Sequence, residues 1–113
     1  MSRSIRQAMT ASSERSIGDV KLTQPHATLC LPSNRALSAS RASLESAIAY
    51  AEWSGCRLVI SDNSRDPEKA AFLAGRSPLL KYLADGPENA ADNMLSAFEA
   101  ADTDFVMPMG DDD

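Results

Sequence analysis

The residues best suited to chemistry stand together at Asp111, Asp112 and Asp113, directly after the short apolar run Phe105-Val-Met-Pro-Met109 and the glycine Gly110. An apolar run released through a glycine reads as a buried strand that delivers acids to a sheet edge. Clustered carboxylates suit a hard divalent cation, above all one that bridges the phosphates of a ligand. Other polar groups follow other strand-like runs: Pro32-Ser-Asn-Arg35 after Ala27–Leu31, Asp62-Asn63 after Arg57–Ile60, and Asp85 after Leu79–Leu83. If these runs form one parallel sheet, every exit lies on the same edge, and groups distant in sequence converge on one ligand. Taken singly, Ser33, Asn34 and Asn63 are also ordinary turn formers, and Asp62 could start a turn or cap a helix. Three terminal acids could likewise be a solvated tail. Only their joint convergence argues for a nucleotide-type site.

Several familiar chemistries are missing from the sequence. No Gly-x-Gly-x-x-Gly follows the first strand, and no Gly-Lys-Ser/Thr phosphate loop occurs. The single histidine, His26, precedes the first strand and supports no Ser-His-Asp or Cys-His arrangement. Cys30 and Cys56 sit in apolar runs without the spacing of a zinc site or a redox pair, so they read as buried reduced thiols of a cytoplasmic protein.

The elements that would position the exits follow from periodicity. Leu37, Leu44, Ile48 and Ala51 recur at helical spacing, with Trp53 near the end and Gly55 as the stop, predicting a helix of about 13–15 residues. Asp66-Pro67-Glu68 opens a second, short helix that Gly75 ends. Gly86-Pro87 breaks the chain, and Ala90, Met94, Ala97, Phe98 and Ala101 mark a third helix before the strand Phe105–Met109. The resulting β-α-β-α-β-α-β order predicts an α/β fold, a Rossmann-like open parallel sheet flanked by helices. The expected strand order is 3-2-1-4, with the first and fourth strands adjacent and central. Residues 1–24 are polar and Ser/Arg-rich and read as a flexible leader. Residues 25–113 form the α/β domain.

Composition agrees with one domain at most. The chain has 113 residues, 43% of them hydrophobic, and a net charge of −5. No basic cluster occurs, which excludes nucleic-acid binding through the phosphate backbone as the expected role. No apolar run approaches the roughly 20 residues that cross a bilayer, so the expected location is cytoplasmic, at most peripheral to a membrane.

With these residues in place, the stretch from Ala27 to Asp113 resembles the nucleotide-binding half of a family-2-type glycosyltransferase with the GT-A fold. The parts that carry the resemblance are Leu31-Pro-Ser-Asn-Arg-Ala36, Val59-Ile-Ser-Asp-Asn-Ser64, and Asp92-Asn-Met-Leu-Ser-Ala-Phe-Glu-Ala-Ala101 leading to Met109-Gly-Asp-Asp-Asp113. The Gly-Asp-Asp-Asp element is similar to that of the abequosyltransferase-like branch, whose enzymes assemble surface polysaccharides. The resemblance implies that Pro32, Ser33 and Asn34 border the nucleotide base. Asp62 would contact the base, with Asn63 in the same nucleotide set, and Asn93 would lie near the nucleotide. Asp111 and Asp113 correspond to an Asp-x-Asp motif, for ribose contact and for a Mg²⁺ or Mn²⁺ that bridges the diphosphate. The implied donor is a nucleotide-diphosphate sugar, and the acceptor a sugar or lipid-linked sugar.

Two departures are visible. The first loop is one residue shorter than the family's usual Pro-Thr-Tyr-Asn-Arg, which bears on Asn34. Family members also continue past the Asp-x-Asp motif into the acceptor site and the catalytic base. The expectation is therefore a truncated donor-binding half without its base, whose exposed apolar edge is covered by a homo-oligomer partner or a C-terminal half. The reading from a different class is a noncatalytic nucleotide- or metal-binding α/β module. A receiver-like acidic signalling domain is a third, and it needs a following lysine strand.

Overall fold

The computed structural model describes residues 25–110. The leader predicted over residues 1–24 and the three acids Asp111, Asp112 and Asp113 lie outside the described residues. Within them, four strands and three helices alternate: β1 (Ala27–Ser33), α1 (Leu37–Ser54), β2 (Arg57–Asp62), α2 (Pro67–Leu73), β3 (Leu80–Leu83), α3 (Ala90–Ala100) and β4 (Phe105–Pro108).

The strands form one sheet in the order β3-β2-β1-β4, and every neighbouring pair is parallel. This is the Rossmann-like α/β arrangement expected from the alternation of strands and helices. One detail is corrected. β1 is internal and adjacent to β4, but β4 is an edge strand of the described sheet rather than a central one.

Strand alternation divides the core into two layers. Leu29, Leu31, Leu58 and Ile60 face one side, where they pack with Leu37, Leu44, Ala47, Ile48 and Ala51 of α1 and Leu73 of α2. Cys30 and Val59 face the other side, against Ala97, Met94 and Phe98 of α3. Burying both faces explains why β1 and β2 read as continuous apolar runs rather than as alternating ones. Cys30 and Cys56 are buried free thiols. Among the described residues, no helix is long and apolar enough to cross a membrane.

Element ends also depart from the sequence expectation. β1 continues to Ser33, because Pro32 and Ser33 pair in register with Ser61 and Asp62 and the Ser33 carbonyl accepts the Asn63 N–H. α1 runs for 18 residues rather than 13–15, and it stops where Gly55 adopts a φ of 75° and returns its N–H to the Ala51 carbonyl. Trp53, near its end, contributes little to the core, being 78% exposed.

Candidate functional site

The period-2 alternation of β2 sends consecutive exit residues to opposite faces of the sheet. Ile60 packs in the α1/α2 layer, so Asp62 points there too, and Ser61 points toward α3. Two polar clusters result, one on each side of the same strand ends.

On the α1/α2 side, the Asp62 carboxylate has no exposure, and neither does Lys69 of α2. Lys69 Nζ donates to Asp62 Oδ1 at 2.9 Å, to Ser33 Oγ, and to the Arg35 carbonyl at 2.6 Å. An ammonium has three N–H donors, and all three are used. Asp62 Oδ1 also accepts the Ser64 N–H at 3.0 Å, while Oδ2 accepts the Tyr82 hydroxyl at 2.6 Å and the Ser64 hydroxyl at 3.0 Å. Each carboxylate oxygen thus holds two hydrogen bonds, so a contact from Asp62 to a ligand would have to replace one of these four. Burial opposes ionisation of Asp62, but the bonds from Tyr82, Lys69 and Ser64 outweigh it and hold the carboxyl below the ordinary carboxylate range. The same burial, with the Asp62 contact, pushes the Tyr82 phenol well above its usual value.

Asp66 joins two helix starts at this corner. Its Oδ1 caps α2 by accepting the Glu68 N–H at 3.0 Å, and its Oδ2 accepts the Leu37 N–H at the start of α1 at 2.8 Å. The bond from Leu37, with that from Glu68, draws the Asp66 carboxyl below the ordinary range despite some desolvation. Between Asp62 and Asp66 the loop turns tightly, and Arg65 takes a φ of 59° while its Nη1 donates to the Gly86 carbonyl at 3.3 Å.

On the α3 side, Ser61 Oγ donates to Asn93 Oδ1 at 2.7 Å, and Asn93 Nδ2 donates to the Ser33 carbonyl at 3.4 Å. Asn93 is only 2% exposed. Gly86 lies against this pair, since a Cβ there would stand 2.3 Å from Asn93 Oδ1 and 3.1 Å from the Asp62 carbonyl carbon. Asn63 donates through Nδ2 to the Pro87 carbonyl at 2.7 Å, which ties the β2 exit to the turn before α3. Because both neighbours of that nitrogen, the Pro87 and Glu88 carbonyls, can only accept, the amide orientation is fixed.

These contacts frame a cleft of about 140 Å³ at the strand exits, lined by Pro32, Ser33, Asn34, Asn63, Glu88, Ala90 and Asn93. Five residues singled out in the sequence therefore share one cavity: Pro32, Ser33, Asn34, Asn63 and Asn93. Asp62 lies behind it, within its own hydrogen bonds. Asp85 is exposed and does not line it. His26 is exposed beside the opposite end of β1, where its carbonyl accepts the Phe105 N–H. Asp111 and Asp113 fall outside the described residues, but the chain approaches them from this edge: the Met109 N–H bonds to the Cys30 carbonyl, and Gly110 follows. Gly110 and Met109 also border a larger hollow of about 440 Å³ against Ser43, Ser46 and Tyr50 of α1, which none of Pro32, Ser33, Asn34, Asp62, Asn63 and Asn93 lines.

Lys69, Tyr82, Ser61 and Gly86 were not read as site residues from the sequence, where Gly86 marked only a break in the chain. Lys69 stands four residues before Leu73, on the one buried stripe of α2, and Tyr82 shares a strand face with Leu80. A lone charge on an apolar stripe is the available signal, and a helix of seven residues gives it little contrast. Among the described residues, no group of three or more His, Cys, Asp or Glu could hold a metal ion. Comparison with known proteins gave no match: no family model, no curated protein and no solved structure matches this chain.

Proposed function

We propose that this domain binds the nucleotide-diphosphate part of a nucleotide sugar and serves as the donor-binding portion of a glycosyltransferase. One observation carries the reading: loops from β1 and β2 and the first turns of α3 meet in one cleft at the carboxyl edge of a parallel sheet. Open α/β sheets bind their ligands at that edge. The cleft is walled by the amides Asn34, Asn63 and Asn93 with Pro32, Ser33 and Ala90, and Glu88 adds one acid; the amides and apolar groups suit a flat, hydrogen-bonding group such as a nucleobase.

The diphosphate would extend from the cleft toward the end of β4. Carboxylates are the ligands that Mg²⁺ and Mn²⁺ prefer, and β4 leads through Gly110 to Asp111 and Asp113, which would hold the cation. A bound cation would neutralise charge on a departing nucleoside diphosphate. In this reading Asn34, Asn63 and Ser33 border the base, and Asn93 holds the wall behind them. Asp62 keeps the β2 exit in shape.

Calorimetric titration of UDP, GDP and TDP, each with and without Mn²⁺, tests the proposal. The expected result is binding of at least one, strengthened by the metal and weakened by Asp113→Ala. Absence of binding to any of them by folded protein sinks the donor-site reading. Binding that ignores both the metal and Asp113→Ala favours a metal-independent nucleotide module instead.

A further inference from the structure

We propose that Lys69 is a positioning residue, which clamps the β1 exit to the β2 exit and so keeps the nucleotide cleft preformed. The inference rests on the donor-site reading for its ligand, but the clamp itself stands on geometry.

Lys69 joins the β1 exit to the β2 exit through one buried side chain, one turn of chain away from the Asp66 bond to Leu37. Its three donors reach Ser33 Oγ and the Arg35 carbonyl at the β1 exit, and Asp62 at the β2 exit. Ser33 and Asn34, the residues between these anchors, line the cleft. The ammonium has no donor left for a ligand, and the side chain has no exposure, so its effect on any ligand acts through the loop it holds. Without it, the segment from Ser33 to Ala36 keeps backbone pairing only up to Ser33, where β1 ends. The following helix starts at Leu37, tied to Asp66. Residues 34–36 would then be spanned rather than fixed. A loop that is competent only part of the time weakens apparent affinity by that fraction, so a competent share of about one tenth raises Kd about tenfold.

Tyr82 provides the control. It bonds the same carboxylate from β3, at Oδ2 rather than at the Oδ1 that Lys69 holds. Tyr82→Phe removes one of the bonds to Asp62 and leaves the clamp on β1 in place.

The experiment is backbone ¹⁵N relaxation on ligand-free protein, followed by titration with whichever nucleoside diphosphate the unaltered protein binds. Lys69→Met should lower the order parameters of residues 34–36 from the rigid range of about 0.85 to below about 0.6, while Leu29 and Val59 in the central strands keep theirs. Kd should rise about tenfold. Tyr82→Phe should leave residues 34–36 unchanged. Should Lys69→Met not fold, Ser33→Ala decides the matter by the same local readout, since it removes one anchor of the clamp without leaving a buried charge. Unchanged order parameters at residues 34–36 in the folded variant overturn the proposal. So does a fall spread evenly over the central strands, which marks a general packing role. If the unaltered protein binds no nucleotide, the donor-site reading fails, and the order parameters alone still decide whether Lys69 orders the loop.

Discussion

Replacing Gly86 by alanine tests the geometry behind the cleft, because the structure fixes both the mechanism and the size of the effect. Gly86 is not among the glycines with positive φ, which are Gly55 and Gly75 among the described residues. Backbone freedom is therefore not what the position demands, and close approach is. A Cβ would stand 2.3 Å from Asn93 Oδ1, 3.0 Å from Ser61 Oγ and 3.1 Å from the Asp62 carbonyl carbon. The last contact is backbone within β2, flanked by paired residues, and cannot swing aside. Asn93 must move by about 1 Å, and its hydrogen bonds with Ser61 and Ser33 must stretch or break. Overpacking a filled site costs about 1–3 kcal/mol, and leaving a buried polar group unpaired costs about as much. The two relieve each other in part, and alanine gains about 0.4–1 kcal/mol through the unfolded chain. The net expectation is about 2–3 kcal/mol, a fall of about 1–2 M in the urea midpoint for a domain of this size. Far-UV circular dichroism is the appropriate probe, since Trp53, the single tryptophan, is 78% exposed and its emission reports little of the core. Gly75→Ala gives the contrast: its Cβ meets nothing within 4 Å, but φ is +63°, so the cost is conformational, about 1 kcal/mol. Gly86→Ala made in an Asn93→Ala background should cost at least about 1 kcal/mol less, because the two sites share the clash. A Gly86→Ala protein within about 0.5 kcal/mol of the parent, the range of an uninvolved surface change, would refute the reasoning.

Asp62→Asn leaves the Lys69 ammonium buried without a counter-charge and should destabilise the protein by about 3–5 kcal/mol, with much of the loss recovered by adding Lys69→Met; an additive double variant in urea titration contradicts the pairing. Asp62 and Asp66 both have folded-state pKa values below the unfolded ones, so their contribution is complete above the ordinary carboxylate value of about 4 and is lost as pH falls through the lowered folded values. The melting temperature should hold level between about pH 7 and 5 and drop below about 4, and a rise on acidification would contradict the assignment. Burial pushes the Cys30 thiol up to about 11, so iodoacetamide at about pH 8 should label it at least tenfold more slowly in native than in urea-unfolded protein. Equal rates would mean that the α3 layer opens freely.

The sheet was legible because its causes are local. Strand and helix periods, the Asp66-Pro67 start and the Gly55 stop each act within a few residues, and the handedness of parallel crossovers then leaves few ways to order four strands. The cleft was legible for the same reason at one remove, since a parallel sheet places every strand exit on one edge. What could not be read is which face each exit residue takes. Asp62 and Ser61 are neighbours in sequence, but one pairs with Lys69 of α2 and the other with Asn93 of α3. Their fates separate only when β1 is known to run to Ser33, which pairs with Asp62 and fixes the register of the last rung.

The two faces also differ in what they leave for a ligand. On the α1/α2 side a charged pair saturates its own hydrogen bonds, and every member is withdrawn from solvent or tied to the loop. On the α3 side the amides Asn34, Asn63 and Asn93, with Pro32, Ala90 and Glu88, surround an open volume. The proposed nucleotide site would draw on both: amides that can exchange water for a base at small cost, and a fixed frame that keeps them from collapsing onto one another. The charge at Asp62 is the conspicuous feature of the β2 exit in the sequence, but the amides Asn34, Asn63 and Asn93 line the cleft. A search for chemistry that weighs only titratable groups would therefore rank the β2 exit by the residue that is buried and overlook the amides that face the cleft.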